Sequence, residues 1–399
     1  MGFICKNEKL ERFDFGFFLP TQVKFGKGKV ANLATELQIE NDLAEKSTAM
    51  LITDRGVAAA GLVDKVLAGI TSTATIKAAV VYDSVPSDSD TALVEELASQ
   101  VQANGIDLII AVGGGSVIDT AKFVSVLGIY GGKAKDYEGG FMVPGPCIPV
   151  IAIPTTVGTG SEVTFIAVAK DKESGLKLPI ASPYLYPRMA VLDPEMVVSL
   201  PAKLVAQTGM DALTHAIEAY VSTESQPFSD ALALKATEMI YDNILAATQH
   251  DSDALAKMQI AATMAGIAFT NAPVGATHAI SHTVGALYNI HHGLANAIAL
   301  PYVMEFNLEA CPSRYASLAR AMGIEERLSD IEIGLRGIEL VKELRRKLCI
   351  PERFREVGVP TDADTIDKIC KLALEDVSMA FNPRKAEMAD FRPLIEKSI

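Results

Sequence analysis

Five short runs in the first half of the chain are apolar at consecutive positions: STAMLIT (47–53), AAVVYD (78–83), DLIIAV (107–112), IPVIAIP (148–154) and RMAVLD (188–193). A strand covered on one face alternates polar and apolar residues, whereas one covered on both does not. The runs therefore predict strands of a parallel sheet lying between two layers of helices. Helical patterns such as GLVDKVLAGI and TALVEELASQVQAN separate them. The resulting β-α-β-α order predicts an open α/β domain. Ahead of it, the alternation and Gly-x-Gly turn of FFLPTQVKFGKGKV (17–30) predict an antiparallel edge hairpin, an edge that a second subunit can pair with.

From Ala202 onward the pattern changes to long Ala-, Leu- and Ile-rich stretches at helical spacing, among them ALALKATEMIYDNILAATQ and IGLRGIELVKELRRKL. An all-helical second domain is expected, with residues 1–194 forming the α/β part and 195–399 the helical part. The 399 residues are enough for two cores. A ligand cleft between the two domains is the default expectation.

Composition narrows the function. Apolar residues make up 49% and charged residues 21%, the balance of a chain with a large core. The net charge is −13, and no Lys/Arg block occurs, which argues against nucleic acid or an anionic membrane surface as partner. The five cysteines are odd in number, widely spaced and without C-x-x-C, so reduced thiols in the cytoplasm are expected rather than a disulfide framework. The first residues lack the apolar core of a signal peptide, and no apolar run approaches the roughly 20 residues of a membrane span. A soluble cytoplasmic protein is expected.

Two loops follow predicted strands directly. DLIIAV runs into GGGSVIDTAK, where Gly113, Gly114 and Gly115 permit positive φ and close backbone approach. Ser116 and Asp119 have the spacing of a helix cap, and the helix N-terminus suits a pyrophosphate; a plain tight turn is the alternative. IPTTVGTGSEVT (153–164) follows another strand and supplies the hydroxyls of Thr155, Thr156, Thr159 and Thr164. Asp54, at the end of STAMLIT, can accept from the ribose hydroxyls of adenosine and disfavour a 2′-phosphate, or can simply cap the next helix.

Four of the six histidines, His278, His282, His291 and His292, fall within fifteen residues. Upstream, TGMDALTHAIEAY (208–220) places Asp211 and His215 four apart, on one helical face. A carboxylate and two or three imidazoles without a thiolate form a ligand set for Fe2+ or Zn2+ with a catalytic rather than structural character. Spacing alone does not decide which of the four clustered histidines ligate.

Together these stretches resemble the iron-containing (group III) alcohol dehydrogenases, a family that includes lactaldehyde reductases, 1,3-propanediol dehydrogenases and butanol dehydrogenases. The resemblance rests on GGGSVIDTAK, PTTVGTGSEVT, GMDALTHAIEAY, HAISHTVGALYNIHHGLANAIALP and FNPR (381–384), in order over nearly the whole chain. It implies a Rossmann-like dinucleotide-binding domain followed by an all-α domain, the fold shared with dehydroquinate synthases. It implies metal ligation by Asp211, His215, His278 and His292, with His282 a non-ligand near the nicotinamide. It implies cofactor contacts from Asp54, Gly114, Gly115, Ser116, Thr155, Thr156, Thr164 and Lys177. The implied activity is NAD(H)-linked interconversion of a small primary alcohol or diol with its aldehyde, using Fe2+ or Zn2+, in a homodimer or higher homo-oligomer. A non-redox lyase of the dehydroquinate synthase type is the alternative. The chain departs from the family at His291, where many members have proline, and at Val117, where many also have proline.

Overall fold

The structure is a computed structural model in which residues 14–72, 76–172 and 177–399 are described; Cys5 lies outside these. Contacts divide the chain into two compact units, Leu19–Leu200 and Pro201–Ile399, and the described residues before Leu19 group with the second.

In the first unit every continuous apolar run is a strand. These are β2 (Thr48–Thr53), β3 (Lys77–Tyr82), β4 (Leu108–Gly113), β6 (Val150–Pro154) and β9 (Met189–Leu192). With β1 (Gln22–Phe25) they form a six-stranded sheet in the order β1-β9-β6-β4-β2-β3, paired in parallel throughout. Leu51, Ile110 and Ile151 lie in register across three strands and bury into one core. Their neighbours Ile52, Ala111 and Ala152 bury into the core on the opposite face. Both faces being covered is the reason the runs do not alternate, and each fully buried Leu or Ile contributes roughly 1.5–3 kcal/mol.

The antiparallel hairpin expected over 17–30 is not formed. After β1 the chain turns at Gly26 and Gly28, both at positive φ, and enters helical turns at Val30–Asn32 and Leu33–Gln38. No second strand remains to fold back. The ladder of β1 is instead made with β9, in parallel, and Asp193 just beyond β9 accepts from Gly28 N (3.2 Å) and Val30 N (3.0 Å). A smaller sheet of β5 (Gly139–Gly140), β7 (Ile166–Lys170) and β8 (Lys177–Ala181), in the order β5-β8-β7, is an addition that the sequence pattern does not announce. Only β7 and β8 run antiparallel in it.

In the second unit the described residues form helices and connecting turns, with no strand after Leu192. Four of the helices carry or contact the clustered histidines: Ala202–Val221, Ser252–Asn271 (through Phe269, stacked on His215), Ala276–Tyr288 and His292–Asn307. No described helix is long and apolar enough to cross a membrane.

Candidate metal centre and cofactor loops

Asp211 and His215 sit one turn apart on the buried face of the Ala202–Val221 helix, which packs against neighbouring helices nearly all round. His278 comes from the first turn of Ala276–Tyr288. That helix ends at Asn289 in a left-handed conformation, and shortly after it His292 opens the next helix. Gly293 fixes how near that opening comes. A Cβ there would stand 2.4 Å from Gln207 O and 3.3 Å from Asp211 Cβ, so only glycine lets the two helices close to this distance.

The outcome is a tight group. Asp211, His215, His278 and His292 each offer one ligand atom, and these atoms all lie within 4.8 Å of one another. Asp211, His215 and His278 are buried, while His292 is partly open. His292 Nε2 lies 3.6 Å from Asp211 Oδ1. Burial works against ionisation of Asp211, but the surrounding imidazoles of His215, His292 and His278 and a hydrogen bond from Asn296 outweigh it and hold the carboxyl down at about 2.

The chemistry of the group fits a divalent cation. The Asn296 amide nitrogen donates to Asp211 Oδ1 (2.6 Å) and lies 3.2 Å from both His278 Nε2 and His292 Nε2, while the buried Asn296 Oδ1 has no hydrogen-bond partner. A single donor faced by three acceptors stands where a positive charge would be best served. One oxygen and three nitrogens without sulfur match Fe2+ or Zn2+.

The remaining clustered histidines fall outside the group. His291 is exposed at the N-cap of its helix. His282 stacks on His292 with ring centroids 5.5 Å apart, and its Nδ1 lies 2.9 Å from Asp376 Oδ2. Asp376 also accepts from Ser378 N at 2.8 Å. Burial raises the Asp376 carboxyl, but the hydrogen bond and charge of His282 and the Ser378 contacts prevail and bring it to about 2.

Besides Asp376, two residues of the neighbourhood were not singled out by sequence: Asn296, and Glu218, whose carboxylate lies 2.6 Å from His278 Nδ1. Both carried a readable signal. Glu218 continues the Asp211, His215 series at seven residues from Asp211, and Asn296 follows His292 by four, so each shares a helical face with a member of the group.

The glycine and threonine loops belong to the first unit. Asp54, the Gly113–Ser116 turn and the 155–164 loop follow β2, β4 and β6, three adjacent parallel strands, so all lie at one edge of the sheet. The strand order reverses between β2 and β4, the position where open α/β sheets hold ligands. The loops interlock closely: Thr155 N donates to Gly113 O (3.1 Å), and a Cβ on Gly114 would meet Thr156 Cγ2 at 2.9 Å. None of Gly113–Gly115 has positive φ, so these glycines serve proximity rather than conformational freedom.

The capping box expected at Ser116 and Asp119 is absent. The helix Gly115–Tyr130 starts with Gly114 as N-cap, which puts Ser116 inside the first turn. Its hydroxyl donates to Ser87 O (2.5 Å), and Asp119 turns inward to accept from Ser161 Oγ (2.6 Å) and Val168 N (3.1 Å). Asp54 does cap a helix, accepting from Val57 N at 2.9 Å through Oδ1. Thr164 Oγ1 accepts from the fully buried Lys122 Nζ (2.8 Å), which also donates to Ser161 Oγ and Ile166 O. Burial lowers Lys122 to about 8, against the pull of Asp119 and Glu162. Lys177 opens β8 and is exposed.

A nucleotide-type sheet edge in one unit and an acid–imidazole cluster in the other mark a class, the enzymes that use a dinucleotide and a metal ion, dehydrogenases among them. Comparison with known proteins gives the family. The iron-containing alcohol dehydrogenase profile matches residues 20–194, and the C-terminal profile of the Fe-containing alcohol dehydrogenase family matches 205–399. The NAD-dependent methanol dehydrogenase of Bacillus methanolicus is 36% identical over 96% of this chain and 99% of its own length. The lactaldehyde reductase of Escherichia coli K12 is 35% identical over 92% of this chain and 94% of its own. A crystal structure of 1,3-propanediol oxidoreductase superposes with a TM-score of 0.92 at 32% identity, covering 97% of this chain and all of that one. The chain belongs to the iron-containing alcohol dehydrogenase family. Its relatives are oxidoreductases, and a lyase of the dehydroquinate synthase type is not favoured.

Proposed function

We propose that this protein is a metal-dependent, NAD(H)-linked alcohol dehydrogenase that interconverts a small primary alcohol or diol with its aldehyde. The observation that carries the proposal is the convergence of Asp211, His215, His278 and His292 within 4.8 Å around the amide of Asn296. These four residues hold Fe2+ or Zn2+. Bound there, the ion supplies a Lewis acid to an alcohol oxygen, and NAD(H) supplies the hydride chemistry.

The chain's own residues do the rest. His282 passes the hydroxyl proton at Nε2, its ring held through Nδ1 by Asp376. The backbone at Gly114, Gly115 and Ser116 receives the pyrophosphate at a helix N-terminus. Thr155 and Thr156 line the cofactor from the next strand, Thr164 shapes that loop, and Lys177 holds the nicotinamide ribose. Asp54 takes the adenosine ribose hydroxyls, which favours NAD over NADP. Two features support a cytoplasmic homo-oligomer: Cys311 and Cys370 are buried thiols, and among the described residues β1 pairs on one side only, with β9.

The test is metal removal. After chelation and dialysis, oxidation of NADH with a panel of short aldehydes should vanish, and Fe2+ or Zn2+ should restore it. Undiminished turnover after complete removal contradicts the proposal, and product formation without net NADH consumption returns the lyase.

A further inference from the structure

Glu218 is a buried carboxylate that the proposed chemistry does not use. It lies on the Ala202–Val221 helix, 3% exposed, and faces the start of the helix that carries His278. It is surrounded by donors. Oε1 accepts from Thr277 N at 2.6 Å, and Oε2 accepts from Gly275 N at 3.1 Å and lies 2.6 Å from His278 Nδ1. Both carboxylate oxygens are thus taken by backbone donors. On the other side of the ring, Nε2 is 3.2 Å from the Asn296 amide nitrogen, a donor, so Nε2 presents its lone pair and the ring proton resides on Nδ1, facing Glu218.

We propose that Glu218 is a positioning residue of the metal centre: by accepting from Nδ1 it fixes His278 in the tautomer whose bare Nε2 faces Asp211 and His292. The inference rests on the proposed metal site and extends it to a residue outside the ligand set. A carboxylate behind a ligating imidazole fixes the ring's tautomer and orientation and strengthens the ligand. Glu218 also ties that ring to the first turn of its own helix through the amides of Gly275 and Thr277. The alternative is that Glu218 is only a helix cap supplied by a neighbouring helix.

Glutamine separates the two. Its one acceptor oxygen cannot serve both Thr277 N and His278 Nδ1. If the oxygen keeps Thr277, the amide donates to Nδ1 and drives the ring proton to Nε2, where it blocks ligation. A cap needs only the amides of Gly275 and Thr277, neither of which sets the ring tautomer. The experiment measures Zn2+ affinity by competition with a chromogenic chelator, alongside ring 15N shifts of the metal-free protein labelled at its six histidines. Wild type should show His278 protonated at Nδ1. E218Q should bind Zn2+ roughly 10- to 100-fold more weakly and show Nε2 protonated. E218D, ionised but shorter, should lose a smaller factor and keep the wild-type tautomer. Wild-type affinity in E218Q with Nε2 still bare overturns the proposal and leaves the metal site intact. If E218Q does not fold, wild-type affinity in E218D overturns it equally. An Nε2–H tautomer in the wild-type protein overturns it without any variant. Wild type that binds no Zn2+ defeats the metal site itself.

Discussion

His282 and Asp376 show how one residue is set by another. Their contact at 2.9 Å keeps the Asp376 carboxyl at about 2, against an ordinary value of 3.8. A depressed folded pKa gives stability that is present above the unfolded value and is lost as pH falls through the folded one. The stability difference between wild type and Asp376→Asn should therefore be on the order of 1–2 kcal/mol at about pH 5 and should shrink between about pH 4 and 2. Denaturant titrations at a series of pH values check this; a difference that does not change with pH denies the pair. Asp54 gives a second prediction at this scale. Its cap on Val57 N uses one oxygen of two, so Asp54→Gly should narrow the preference for NAD over NADP in kcat/KM, and an unchanged ratio would leave Asp54 a helix cap alone. The sequence pointed to the four donors through spacing and resemblance. It did not single out Glu218, Asn296 or Asp376: the helical spacing of the first two was readable, but only the fold shows which imidazole each of the three faces.

At the scale of elements, the continuous apolar runs were legible because a strand buried on both faces has no polar side to show. The smaller sheet was not. Its strand KLPIA contains Pro179, which usually argues against a strand, and its burial alternates where β4, β6 and β9 are uniformly buried. The hairpin expected before the first helix failed for a related reason: alternation identified Gln22–Phe25 as a strand but carried nothing about its partner, which lies more than 160 residues further along the chain. Helix packing yields its own prediction. Gly293→Ala puts a methyl group 2.4 Å from Gln207 O, so the two helices that bring His292 to Asp211 must separate. Overpacking of this kind costs about 1–3 kcal/mol. Thermal unfolding should show the loss, and Zn2+ affinity should fall with it. A variant with wild-type Tm and affinity would show that the close approach is not needed.

The whole molecule combines a nucleotide-type sheet with a helical unit that holds four convergent donors, in a chain of net charge −13. Its edge strand β1, paired on one side only, predicts self-association: sedimentation equilibrium should return a multiple of the 42.5 kDa chain mass, and a strict monomer would contradict it. The substrate is the part least legible at any scale, since relatives of similar identity are named for methanol and for lactaldehyde. The central claim is that a divalent ion is held by Asp211, His215, His278 and His292. The most direct test is anomalous diffraction at the iron or zinc edge from crystals grown with that ion. One strong peak is expected at bonding distance from one atom of each of the four side chains; a map with no peak there, or with the ion bound elsewhere and the four side chains unliganded, rules the site out.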